Sequence, residues 1–209
     1  MPQHVRLELM DWKRRVGAMY AAVRSAGPDP GVCAAFRGER DELFAEHPAS
    51  PLPAAERGGF AGLSYFSHRP EMRVEAEMVP DPEGAELAIP TSTGEPTRFT
   101  RIGFVRPTLT GRQVSLAVYW LEGYGGGLFL PFRDALAGTA TYGGGRYLLD
   151  TVKGADLGTG AGGERLVLDF NYAYNPSCAY DPRWSCPLAP PENRLTIAVE
   201  AGERSVSKG

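Results

Sequence analysis

Long apolar runs are missing from this sequence. No stretch approaches the ~18–20 apolar residues that cross a bilayer as a helix, so no membrane partner is expected. Cysteine is scarce, three in 209 residues, which excludes a disulfide scaffold. Histidine is as scarce. His4, His47 and His68 all fall in the first third of the chain, and no spacing certifies a Ser–His–Asp or Cys–His constellation. Charge of one sign is also absent as a block. The 22 Lys and Arg residues are scattered among 25 Asp and Glu, for a net charge of −3. Without a basic stripe, nucleic acid is not an expected partner. The segment "MPQHVRLELMDWKRRV" carries charges throughout, unlike a secretory signal peptide, so a cytoplasmic location is expected.

What the chain does have is glycine and proline, 26 and 18 residues, a turn-rich composition that suits a β protein. Two helices come first. Val5, Leu9, Trp12, Val16, Tyr20 and Val23 recur at three- and four-residue steps, which predicts an amphipathic helix from His4 to Ala26, stopped by Gly27 and Pro28. A second helix is predicted from Pro30 to about Ala45, with Phe36, Leu43 and Phe44 on its face, ended by the prolines of "HPASPLP". After Arg69 the period becomes two. "MRVEAEMV", "AELAIP", "TRFTRIGFV", "RQVSLAVYWLE", "GLFLPF", "RYLLDTV", "RLVLDFNYAY" and "LTIAVEAGE" read as about eight strands, with a hairpin turn at "TLTGRQ". The expected fold is mainly β: an antiparallel barrel-like or sandwich core carrying two N-terminal helices. It forms a single domain over residues 1–209, helical over 1–70 and β over 71–205. The glycine-rich "KGADLGTGAGGE" lacks a phosphate-loop pattern and reads as a surface loop.

Candidate site residues cluster in two stretches. In "PFRDALAGTATYGGGRY", Arg146 stands beside Gly143, Gly144 and Gly145, where free backbone N–H groups and a guanidinium suit an anion. Strict alternation through "RLVLDFNYAYN" places Asp169, Asn171 and Asn175 in one polar row, and the tyrosines on the other face. The expected site joins the two stretches. Arg146 anchors a small anionic molecule, Asn171, Asn175 and the three glycines line the pocket, Tyr142 donates a hydrogen bond, and Asp134 or Asp169 acts as base. A purely structural bridge from Arg146 to Asp134 or Asp169 is the competing account. Two other functions stay open: a non-catalytic module for an apolar ligand in the barrel, and a protein-interaction module using the tyrosine-rich loop. The cofactor stays unknown, and no metal site is expected.

Cys178 and Cys186 are expected to lie close together, because "AYDPRWS" contains Pro182 and must fold back. A pair of buried thiols, a disulfide worth roughly 2.5 kcal/mol in the chain-entropy model, and a reactive thiol are all compatible with the spacing. The spacing is not CxxC and no histidine is near, which disfavours zinc.

"PFRDALAGTATYGGGRYL", "LDFNYAYNPSCAY", "CPLAPPENRLTIAVEAGE", "RDELFAEHPASPL" and "FAGLSYF" together resemble the signature of the DUF1684 proteins, a bacterial and archaeal family of unknown function. The resemblance runs from about Trp12 to Glu203. Leu136 stands where the pattern has Thr and Ser177 where it has a second Pro, the first removing a hydroxyl from the expected site. The resemblance implies no reaction, substrate or cofactor.

Overall fold

A computed structural model describes residues 2–206 of the chain. Helix α1 spans Gln3–Ala26 and α2 spans Pro30–Glu46. Asp29 caps α2 by accepting the N–H groups of Gly31 and Val32, and Pro30 sits at the first helical position, where a missing N–H costs nothing. A single extra turn, α3 (Ala54–Arg57), follows the proline-rich stop. Among the described residues, no helix is long and apolar enough to cross a membrane.

Among the described residues nine strands follow: β1 (Arg73–Pro80), β2 (Glu86–Pro90), β3 (Pro96–Val105), β4 (Thr108–Leu109), β5 (Arg112–Gln113), β6 (Leu116–Leu121), β7 (Gly127–Phe132), β8 (Arg146–Asp150) and β9 (Arg165–Asp169). The main sheet runs β8-β7-β6-β3-β1-β9, with β2 sharing an edge of β3 with β1. Its named pairs are all antiparallel. The expected hairpin at "TLTGRQ" is the small β4–β5 pair. The two ends of the sheet meet just beyond β9. Tyr147 N–H donates to the Tyr174 carbonyl at 2.8 Å, and Tyr174 N–H donates back at 3.1 Å. That bridge makes the sheet a nearly closed barrel.

Alternation along the strands decides the interior. Val74, Ala76, Leu116, Val118, Leu130, Leu148 and Leu168 share one apolar cluster drawn from β1, β6, β7, β8 and β9, and they fill the barrel. The opposite face of β3, β6, β7 and β8 carries Phe99, Ala117, Tyr119, Phe129 and Tyr147. The helices dock on the rim through Tyr20, Phe36 and Tyr172. The Phe36 ring meets Tyr20 and Tyr172 edge-on at centroid separations of 5.0 and 4.9 Å, pairs that contribute about 0.5–1.5 kcal/mol each beyond area burial.

Two expected strands differ. "RLVLDFNYAY" is a strand only to Asp169, because the Asp169 carboxylate accepts Asn171 N–H and starts a 3₁₀ turn, Phe170–Tyr172. The alternation that would align Asp169, Asn171 and Asn175 therefore breaks at the turn. "LTIAVEAGE" is not a strand of the sheet. It is a bent crossing segment, bounded by isolated bridges at Arg194 and Glu203, and side chains hold part of its backbone.

Candidate functional site

The residues expected to form one site are distributed over several clusters. Arg146 and Asp134 form the first. Arg146 Nη2 lies 2.9 Å from Asp134 Oδ2, with both side chains 1% exposed. The guanidinium also donates to the carbonyls of Val199, Ala201 and Glu203, and lies over the Phe132 ring at 5.0 Å. Asp134 accepts Thr141 Oγ1 at 2.7 Å and Val199 N–H at 3.0 Å. Burial pulls Arg146 down to about 10, with Asp134 opposing it, so the guanidinium stays charged at neutral pH. This pair does for residues 199–203 what a neighbouring strand would do: it satisfies their backbone groups. The departure at Leu136 is inert by the same logic, since that residue acts through its carbonyl, which accepts from Thr139, Ala140 and Thr141.

Asp169 and Asn171 form the second cluster. Asn171 closes a two-way bond with the Arg69 backbone and donates to Asp169 at 2.8 Å. Burial raises the Asp169 carboxyl, with the Asn171 hydrogen bonds opposing it. Asn175 belongs to a third cluster, where its N–H donates to Glu203 Oε2 at 2.7 Å and its amide donates to the Arg204 carbonyl. Tyr142 lies elsewhere again, with its hydroxyl 3.6 Å from Cys178 Sγ.

The glycine run serves the protein's own packing. A Cβ on Gly144 would meet the Tyr142 ring at 2.6 Å. Gly145 has φ 95°, and a Cβ there would meet the Phe132 carbonyl at 2.7 Å and Ala189 at 2.8 Å. Gly143 is in ordinary contact with Gly138.

Sequence reasoning missed the buried pair Arg40–Glu203, 2.5 Å apart with side chains 7% and 1% exposed. Tyr180 donates to the second Glu203 oxygen at 2.7 Å. Burial is the largest single influence and works against the Arg40 charge, but the Glu203 carboxylate together with Tyr65, Tyr180 and Tyr20 outweighs it and holds the guanidinium well above its ordinary range. A signal existed, because Arg40 lies on the apolar face of α2 among Phe36, Leu43 and Phe44. Asn193 was also missed. Its side chain bonds Ala117 N–H, the Ala117 carbonyl and the Pro131 carbonyl, filling the gap where β6 and β7 part.

Arg146, Asp134 and Asp169 are buried, 1%, 5% and 4% exposed as whole residues. One cavity of about 200 Å³ does lie on the aromatic face of the sheet, lined by Phe99, Leu121, Phe129, Tyr147, Lys153 and Pro187 among others. Lys153 Nζ is 2.9 Å from Asp150 Oδ2, its side chain 42% exposed and that of Asp150 8% exposed. The ammonium also sits 5.4 Å from the Tyr147 ring centroid. The Tyr147 hydroxyl donates to the Pro187 carbonyl at 2.6 Å, which fixes the cavity's far wall. Among the described residues, no group of three or more His, Cys, Asp or Glu could hold a metal ion.

A fold built this way, a nearly closed antiparallel barrel capped by two helices, is shared with a solved structure. The solution NMR structure of an uncharacterised protein of Haloarcula marismortui is 37% identical, covering 84% of this chain and 94% of its own, with a TM-score of 0.60. The model of the DUF1684 family, a protein family of unknown function, matches residues 58–204, and the chain belongs to that family. The matched range begins after α2, so it holds the barrel and not the two long helices. No curated protein matches the chain.

Proposed function

We propose that this protein binds a small molecule with an apolar body and one anionic group in the cavity beside Lys153. The observation that carries the reading is the lining: aromatic and aliphatic walls from β3, β6, β7 and β8, with a partly exposed Lys153 ammonium at the rim paired to the mostly buried Asp150 carboxylate. Ligand sites are commonly apolar clefts with a few placed polar groups. An ammonium has three donors, and the contact with Asp150 uses one of them. A carboxylate can take another while the ligand's body lies against Phe99 and Phe129. This moves the expected anion anchor from Arg146, whose donors are engaged by the C-terminal segment, to Lys153.

Ligand-observed NMR with phenylacetate and benzyl alcohol tests it. Wild-type protein should bind phenylacetate more tightly than the alcohol. Lys153→Ala should weaken phenylacetate about ten-fold, the lower end of what a hydrogen bond to a charged group contributes, and leave the alcohol unchanged. Leu121→Trp should fill the cavity and abolish both. Binding that survives Leu121→Trp, or a preference unaffected by Lys153→Ala, would refute the assignment.

A further inference from the structure

Cys178 and Cys186 meet outside that cavity, in a loop built to hold them together. Cys178 lies in a 3₁₀ turn, Ser177–Ala179, and is partly exposed. The chain then turns back through Asp181, which accepts Trp184 N–H through its carbonyl and Arg183 N–H through its side chain. Cys186 is buried and clamped from both sides by one residue: its N–H donates to Ser92 Oγ at 3.1 Å, and its carbonyl accepts Ser92 N–H at 2.9 Å. The result is that Cys178 N–H points at Cys186 Sγ, 3.3 Å away. Tyr142 approaches the Cys178 sulfur from the other side at 3.6 Å. Its ring occupies the space a side chain at Gly144 would take.

The two thiols are not equivalent. The hydrogen bond from Cys186 lowers Cys178 most, burial opposes it, and contacts with Ser92 and Tyr142 add to the lowering, which carries Cys178 to about 6. Cys186 is pushed up, first by its partner and then by burial. Tyr142 is pushed up as well, by burial and by Cys178. Both neighbours therefore keep their protons and donate toward Cys178. Cys33 is a built-in control: it is 1% exposed, and burial raises its thiol. Cysteines that attack dissolved oxidants are partly exposed thiolates, whereas thiols buried in apolar surroundings are shielded from them.

We propose that Cys178 is a site of oxidation by hydroperoxides and that Cys186 is the thiol that resolves it. In the first step the Cys178 thiolate sulfur attacks one peroxide oxygen. An S–O bond forms, the O–O bond breaks, and the departing alkoxide takes a proton to leave as alcohol, or as water from hydrogen peroxide. In the second step Cys186 sulfur attacks Cys178 sulfur. An S–S bond forms, the S–O bond breaks, and the hydroxide departs as water with the proton Cys186 gives up. Two thiols are oxidised to one disulfide, and one hydroperoxide is reduced. The sulfenic acid is the expected first rung of thiol oxidation, and a neighbouring thiol is what diverts it from over-oxidation.

The test uses the full chain, reduced, treated with hydrogen peroxide and mapped by mass spectrometry after proteolysis. Wild-type protein should yield a Cys178–Cys186 linked peptide. Cys186→Ser should yield instead a Cys178 sulfenic acid trapped by dimedone, and Cys178→Ser should yield neither. In untreated wild type, iodoacetamide should label Cys178 roughly ten-fold faster than Cys33 at neutral pH. Tyr142→Phe should raise the pH midpoint of that labelling, with circular dichroism showing an intact fold. Labelling of Cys178 no faster than Cys33 overturns the proposal, as does equal dimedone trapping in wild type and Cys186→Ser. If Cys186→Ser does not fold, the labelling rates and the wild-type linked peptide still decide.

Discussion

Arg146 and Lys153 are both cations placed 2.9 Å from an aspartate, one at the start of β8 and one just after its end. The distances match, and the roles differ. Arg146 and Asp134 are each 1% exposed, and their remaining hydrogen bonds go to the Thr141 hydroxyl and to the backbone of residues 199–203. Lys153 is 42% exposed and sits on the rim of an aromatic cavity. A desolvated pair whose partners are all internal is mechanical: it fixes where a segment lies. A half-solvated pair beside an apolar wall keeps capacity for a guest. Ion-pair distance alone distinguishes nothing here, and burial with the donor count distinguishes both.

The sharpest way to break the comparison is Arg146→Ala. It strands Asp134 without its cation and releases the C-terminal segment, so it should cost about 3–5 kcal/mol. Urea denaturation would read this as a large fall in midpoint or a loss of soluble protein. Native stability in that variant would return Arg146 to the list of binding groups.

Gly202→Ala examines the same segment without touching charge. Gly202 has φ 74°, and a Cβ there would run into the carbonyls of Ala173 and Phe170. Backbone strain of that kind costs about 1–3 kcal/mol, measurable as a lowered thermal midpoint. An unchanged midpoint would mean the crossing segment is not held as tightly as its hydrogen bonds imply.

Lys153→Ala should do the opposite of Arg146→Ala. A partly exposed pair contributes at most about 1 kcal/mol, so urea denaturation should barely change while phenylacetate affinity falls. The last contrast is one of reactivity and concerns pH in the range where Cys178 titrates. The sign follows from the lowered thiol: its thiolate gains population as pH rises through about 6, below the usual range near 8.5. Iodoacetamide labelling of Cys178 should therefore level off before that of an ordinary thiol begins to rise. A labelling midpoint at the ordinary value would place Cys178 with Cys33.

The helices and most strands were legible because their signals are local. Gly27 stops α1, the apolar spacing of Phe36, Leu43 and Phe44 locates α2, and period-two runs locate the strands from β1 to β9. The end of β9 was not legible. Continued alternation after Asp169 reads as strand, yet the Asp169 carboxylate captures Asn171 N–H and turns the chain. "LTIAVEAGE" failed for the converse reason. It has strand periodicity, but its backbone bonds are divided between scattered backbone groups and the side chains of Arg146 and Asp134, far away in sequence.

The candidate site was legible only in part. Arg146 and Asp134 were expected either as ligand groups or as a bridge, and they form the bridge. The closeness of Cys178 and Cys186 followed from Pro182 and the short spacer between them. The cavity at Lys153 left no trace in the chain, since its walls come from four strands and a distant loop.

Periodicity, caps and turn residues act between neighbours, so the sequence by itself determined that two helices precede an antiparallel β structure. Which polar groups are desolvated together was decided only by the tertiary structure. Arg40 meets Glu203 across 163 residues, and Tyr147 meets Tyr174 to close the barrel. The cost of burying a charge, and hence whether it braces the fold or stays open to a ligand, depends on every neighbour that excludes water from it. That set exists only once the barrel has closed.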